Sequence, residues 1–176
     1  VNFGYQGMRI HLIDTPGMPD FAGQSIAALA AVETAVVVIN AQNGIELNTS
    51  RMMKWAGKRG LCRMIVVNKI DAENVDLPGL LRKIQDLYGR ECLPINLPSH
   101  GGKDVVDCFF TPDGESDFLS VKEAHSALID QVVEVDEDLM NLYLEQGEEL
   151  APEQLHAPFE KALRENDPAI APSMIY

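Results

Sequence analysis

The chain has 176 residues and a formal net charge of -13, with 46% hydrophobic, 23% charged and 6% aromatic residues. That composition builds one soluble domain with an aliphatic core, with room for an inserted subdomain. The charge excludes a free-standing nucleic-acid binder, because a phosphate backbone would be repelled. An acidic domain can still belong to a larger protein whose other parts touch RNA. No apolar stretch approaches the length of a membrane span and no signal peptide opens the chain, so the expected compartment is the cytoplasm and no membrane partner is expected. Cys62, Cys92 and Cys108 are scattered, without a CxxC pair, and read as free buried thiols of a reducing environment.

In chain order, two short strands are expected at Val1–Tyr5 and Met8–Ile13, turned by Gln6-Gly7. The loop "DTPGMPD" follows, then a helix over Phe21–Val32 with Ile26, Leu29 and Ala30 at helical spacing. "AVVVINA" (Ala35–Ala41) and "CRMIVVNK" (Cys62–Lys69) are continuous apolar runs, as expected of strands buried on both faces. Helices are expected at Leu47–Gly57 and, after Pro78-Gly79, at Leu80–Tyr88, closed by Gly89. "CLPINLP" reads as a third, weaker strand. The alternation of strand and helix argues for a parallel sheet with helices on both faces.

After about Ser99 the rhythm changes. "DVVDCFF" suggests a strand, "TPDGES" a turn, and Ser120 with Glu123 a capping box before Val121, Ala124, Leu128, Val132 and Val135 at helical spacing. "PEQLHAPFEKALRE" reads as a last helix with Pro152 in its first turn, and "IAPSMIY" as an unfinished strand. The start at Val1 and the stop at Tyr176 suggest a piece of a longer chain.

The chemistry concentrates in two loops that follow apolar strands. In "NKID", the Asp71 carboxylate can accept two hydrogen bonds from guanine, one from the ring N–H and one from the exocyclic amine. Adenine lacks that amine and would leave an acceptor unpaired, at about 1–3 kcal/mol. The Lys69 stem can cover the base or sugar, and Asn68 can tie neighbouring loops together. In "DTPG", Asp14 can hold magnesium through a water, because that ion keeps much of its hydration shell. The Gly17 N–H can donate to a terminal phosphate, since glycine lets the main chain come close. Asp14, Thr15, Pro16 and Gly17, followed by helix, strand, helix, strand and then Asn68, Lys69 and Asp71, run in the order found in GTPases.

"LIDTPGMPDF", "VVNKID" and the long stretch "ALIDQVVEVDEDLMNLYLEQGEELAPEQLHAPFEKAL" are similar to elongation factor G, a translational GTPase, and the likeness covers nearly all the chain. The resemblance implies an α/β fold: a P-loop-GTPase-like parallel sheet lacking its first strand and phosphate loop, plus an acidic, mostly helical inserted subdomain. It divides the chain into a GTP-binding core at 1–98, the insertion at 99–167 and the start of the next sheet strand at 168–176. It also implies GTP or GDP and magnesium as cofactors of the intact protein, with the ribosome as its partner in translocation or recycling. No G-x-x-x-x-G-K-[ST] occurs, so little or no nucleotide is expected to bind this chain by itself. The family's water-positioning histidine falls at Met18, whose thioether neither donates a proton nor accepts one strongly. Hydrolysis by the usual route is therefore in question, no catalytic residue is assigned, and the likeness is closer to the diverged, elongation-factor-G-like subgroup than to the main translocase. The competing reading is a hydrolysis-deficient interaction module that keeps the fold.

Without the missing strand, Met8–Ile13 and Ala35–Ala41 would face a gap, and are expected either to pair with another chain or to close on each other. His11, His100, His125 and His156 lack partners at metal spacing. Trp55, beside Met52 and Met53, is expected to pack in the core.

Overall fold

Gln6 (φ 48°) and Gly7 (φ 80°) turn the chain between β1 (Asn2–Tyr5) and β2 (Met8–His11) in a computed structural model that describes residues 1–134, 137–146, 158 and 173–175. Two consecutive positive φ values make the primed turn that suits strand twist, so Tyr5 pairs with Met8 and Asn2 with His11. β2 ends at His11, two residues earlier than the sequence suggests, although Leu12 N still donates to Val1 O at 2.7 Å.

The expected helix over Phe21–Val32 is divided. A 3₁₀ turn at Pro19–Phe21 leads into α1 (Ala22–Ala28), and a second 3₁₀ turn follows at Leu29–Ala31. An alanine-rich segment containing Gly23 offers little apolar area to a core, and in α1 the buried residue is Ser25. Ala30, at helical spacing with Ile26 and Leu29, is exposed.

β3 (Thr34–Asn40) and β4 (Cys62–Asn68) pair in parallel from Thr34 with Cys62 to Asn40 with Asn68. Between them runs α2 (Leu47–Lys58). After β4 comes α3 (Leu77–Tyr88), which starts a turn before the expected Leu80. Pro78 fits that first turn because its missing N–H has no intrahelical partner there, and Asp76 caps the helix by accepting from Gly79 N at 2.9 Å.

"CLPINLP" does not extend the parallel sheet. Its end forms β5 (Asn96–Ser99), which pairs antiparallel with β6 (Asp104–Asp107) in a separate hairpin. Pro94 and Pro98 offer no N–H to a central ladder. The third parallel strand is β7 (Ser173–Ile175), beside β4. β5 runs through the expected boundary between 98 and 99, so the hairpin belongs to both sides of it. α4 (Val121–Val133) opens on Ser120, whose hydroxyl accepts from Glu123 N at 3.3 Å, and α5 (Glu137–Gln146) follows. Val135 and the helix expected over 152–165, Pro158 apart, lie outside the described residues.

One hydrophobic core runs through these elements. Ile39, Ile65 and Val67 of the sheet meet Met53 of α2, Ile84 of α3, Leu97 of β5 and Val121, Leu128 and Val132 of α4. The sheet residues among them are at most 1% exposed, and each such side chain contributes about 1.5–3 kcal/mol by burial. β3 is not covered on both faces as expected, because Val36 and Val38 are 48% and 59% exposed. β2 and β3 do not close on each other: β2 pairs with β1, and β3 with β4.

Cys92 and Cys108 are buried, Cys62 is half-buried, and all three are free, as the sequence suggests. Burial raises Cys92 to about 12, helped by the Glu91 charge. It raises Cys108 to about 11, helped by Asp107. Cys62 is also raised, by burial first, against a hydrogen bond from Thr34.

Candidate functional site: two loops at the strand ends

Asn68 closes β4, and the loop Lys69–Asp71 leaves the carboxyl end of a parallel sheet, where ligands of open α/β folds bind. The turn out of the strand is tightly specified. Asn68 Oδ1 accepts from Lys69 N at 2.8 Å, Asn68 O accepts from Ala41 N at 2.9 Å, and Lys69 takes a left-handed φ of 61°. Ala72 N then donates to Lys69 O at 3.2 Å. Buried Val67 anchors this loop at the strand, while the side chains of Asn68, Lys69 and Asp71 are exposed.

Asp14, Thr15, Pro16, Gly17 and Met18 form an exposed loop after β2. Two contacts hold it: Ser25 Oγ donates to Pro16 O at 3.1 Å, and Asn48 Nδ2 donates to Gly17 O at 2.9 Å. No atom lies within 4 Å of where a Cβ on Gly17 would stand, so its backbone is open to close approach. Met18 is 66% exposed and precedes the 3₁₀ turn.

The two motifs are tied to one stretch of chain that runs from the end of β3 into the first turn of α2. Gln42 Nε2 donates to Glu73 O at 3.0 Å, just beyond Asp71, while Asn48 in the first turn of α2 holds Gly17. Sequence reasoning passed over Gln42 and Asn48. Their signal was position alone, since both follow the carboxyl end of a parallel strand.

An acceptor at Asp71 and an oxygen ligand at Asp14 fit a guanine base and part of a magnesium site. Asp71 presents an exposed carboxylate, and Asp14 presents another beside an uncovered glycine backbone. Among the described residues no three His, Cys, Asp or Glu side chains gather as metal ligands. Magnesium draws most of its ligands from water and phosphate, so one carboxylate suits it.

Of the other candidate histidines, two have hydrogen-bonding neighbours. His125 Nδ1 lies 2.8 Å from Cys108 O, and His100 Nδ1 lies 3.2 Å from Ser99 Oγ. His11 is exposed, and His156 lies outside the described residues. Trp55 is not a core residue: it is 40% exposed with Lys58 Nζ 5.3 Å from its ring centre, and Met53 fills the core instead. Among the described residues no helix is long and apolar enough to cross a membrane.

A parallel strand–helix–strand unit that ends in N-K-I-D, with D-T-P-G in the loop upstream of it, defines a nucleotide domain of the GTPase class. The family described as "Elongation factor Tu GTP binding domain" matches residues 1–165. The chain therefore belongs to that family, the GTP-binding domains of translational GTPases. It is 33% identical over 176 residues to an elongation factor G-like protein of Mycobacterium tuberculosis, an alignment covering 92% of this chain and 24% of the relative. It is 31% identical over 176 residues to peptide chain release factor 3 of Listeria monocytogenes, covering 89% and 33%. A crystal structure from Thermus thermophilus superposes with a TM-score of 0.79 at 30% identity, covering 99% of this chain and 28% of that one. The chain thus spans about a quarter to a third of the length of these relatives.

Proposed function

We propose that the chain is the guanine-selecting and phosphate-sensing part of an elongation-factor-G-like translation factor. In the intact protein it would bind and hydrolyse GTP during translocation or ribosome recycling in the cytoplasm. The observation that carries this reading is the exposed Asp71 carboxylate on a loop fixed at the carboxyl end of β4. Asp71 accepts from the ring N–H and exocyclic amine of guanine, Lys69 covers base or sugar, and Asn68 holds the turn. Asp14 orients a water-bound magnesium ion, and Gly17 N–H, with Thr15 and Pro16 shaping its loop, donates to the terminal phosphate. GTP supplies the phosphoryl group whose loss would release that loop. The core at 1–98 carries these residues, and 168–176 would be the start of the next strand of the domain. The acidic insertion at 99–167 is most simply a solvated surface; the alternative is a docking face whose charge would complement a basic ribosomal protein.

A second reading rests on Met18. Exposed where the family's histidine would stand, its thioether cannot orient an attacking water, so the protein would hold GTP and its partner surface while hydrolysing slowly. Single-turnover hydrolysis by the intact protein, with and without ribosomes, separates the two. Ribosome-stimulated turnover removes the module reading. The guanine assignment itself is tested by competition between GTP and ATP for the intact protein, with preference for ATP overturning it.

A further inference from the structure

The guanine loop is supported on a side that the family motifs do not include. His100 (φ 54°), Gly101 (φ 72°) and Gly102 (φ 75°) form a left-handed run at the tip of the β5–β6 hairpin. A Cβ on Gly102 would stand 2.9 Å from Ile70 O, 3.0 Å from Ile70 C and 3.2 Å from Asp71 N. Those atoms are main chain, so no side chain can swing aside to make room. The hairpin backbone is pressed against the peptide that joins Ile70 to Asp71.

Asp117 holds the hairpin in that place. Its two carboxylate oxygens accept from Gly101 N at 3.0 Å and Gly102 N at 2.9 Å, while its own N–H donates to Pro98 O at 2.8 Å. Asp117 thus fastens both the tip and the strand leading to it. The guanine loop is braced from two sides, by Gln42 at Glu73 and by Gly102 at Ile70–Asp71.

We propose that Gly102, clamped by Asp117, is a positioning residue for guanine recognition. It fixes the backbone of Asp71 so that both oxygens of its exposed carboxylate meet the base edge. The hairpin thereby joins the first residues of the insertion to base selection. This deepens, and rests on, the assignment of Asp71 to guanine.

The test compares GDP with inosine diphosphate on the intact protein. Inosine lacks the exocyclic amine, so the ratio of the two affinities reads how well the second carboxylate oxygen is aimed. The wild-type protein is expected to prefer GDP by roughly tenfold or more, the effect of one unmade hydrogen bond to a charged acceptor. Gly102→Ala and Asp117→Ala are expected to bring that ratio to within about threefold, mainly by weakening GDP. Asp117→Asn, which keeps one acceptor oxygen, is expected to fall between. A purely structural role would lower the melting temperature, or weaken both nucleotides alike, and leave the ratio unchanged in all three variants. That result overturns the positioning role while leaving the guanine assignment intact. A wild-type protein with no preference for GDP overturns the guanine assignment, and the positioning role with it.

Discussion

Asn40 and Asn68 are register partners at the ends of adjacent parallel strands, and each side chain accepts from a backbone N–H just beyond its own strand. Asn40 Oδ1 takes Gln42 N at 2.9 Å, and Asn68 Oδ1 takes Lys69 N at 2.8 Å. Both loops that leave the sheet are therefore started by the same short side chain, which satisfies a donor the ladder no longer serves.

Replacing either asparagine by alanine removes one such bond. Each of Asn40→Ala and Asn68→Ala is expected to destabilise the fold by about 0.5–1.5 kcal/mol. The double variant should depart from additivity, because the residues are neighbours across the ladder. Urea unfolding midpoints read both effects, and midpoints equal to wild type would show that the turns hold without these side chains.

The open side of β3 bears on association. Val36 and Val38 are exposed, as are Phe3, Tyr5 and Met8 of the β1–β2 hairpin, and β3 is paired only with β4 among the described residues. We expect this chain to self-associate through that strand edge, against the repulsion of its net charge of -13. Raising salt screens the repulsion and should strengthen association. Val38→Lys should abolish it at a stability change within about 0.5 kcal/mol, since Val38 is largely exposed. Light scattering that finds a monomer at high salt would contradict this.

The parts of the structure set by local rules were legible in the amino-acid sequence. Gln6-Gly7 announced its turn, Ser120 its cap, and the runs around Val37 and Val66 their strands. The parts decided by tertiary pairing were not. "CLPINLP" has the apolar content of a sheet strand, yet its prolines divert it into a hairpin with Asp104–Asp107. Trp55 and Met53 lie on one helix, but only Met53 faces the core. Both motif loops could be named from their residues and position. Their braces could not, because Gln42, Asn48 and Asp117 act on partners that lie 31, 31 and 15–16 residues away.

The buried thiols make stability fall in alkali. Cys92 and Cys108 ionise near 9.0 when unfolded, and near 12 and 11 when folded. Above pH 9 the unfolded chain releases protons that the folded chain retains, so unfolding becomes easier as pH rises towards 11–12. Each thiol contributes a slope of up to about 1.4 kcal/mol per pH unit in that window and none below it. Urea unfolding between pH 8 and 10.5 should show Cys92→Ala losing stability less steeply than wild type. Parallel curves would mean that Cys92 is not protected.

The most direct measurement exchanges the carboxylate proposed to choose the base. In Asp71→Asn, the amide still accepts from a ring N–H but donates where the carboxylate accepted. It therefore suits xanthine, which carries a carbonyl in place of guanine's amine. Affinities of the intact wild-type and Asp71→Asn proteins for GDP and xanthosine diphosphate are expected to cross. GDP should weaken by at least about tenfold and xanthosine diphosphate should become the tighter ligand. An Asp71→Asn protein that still prefers GDP would contradict the assignment of this carboxylate to guanine.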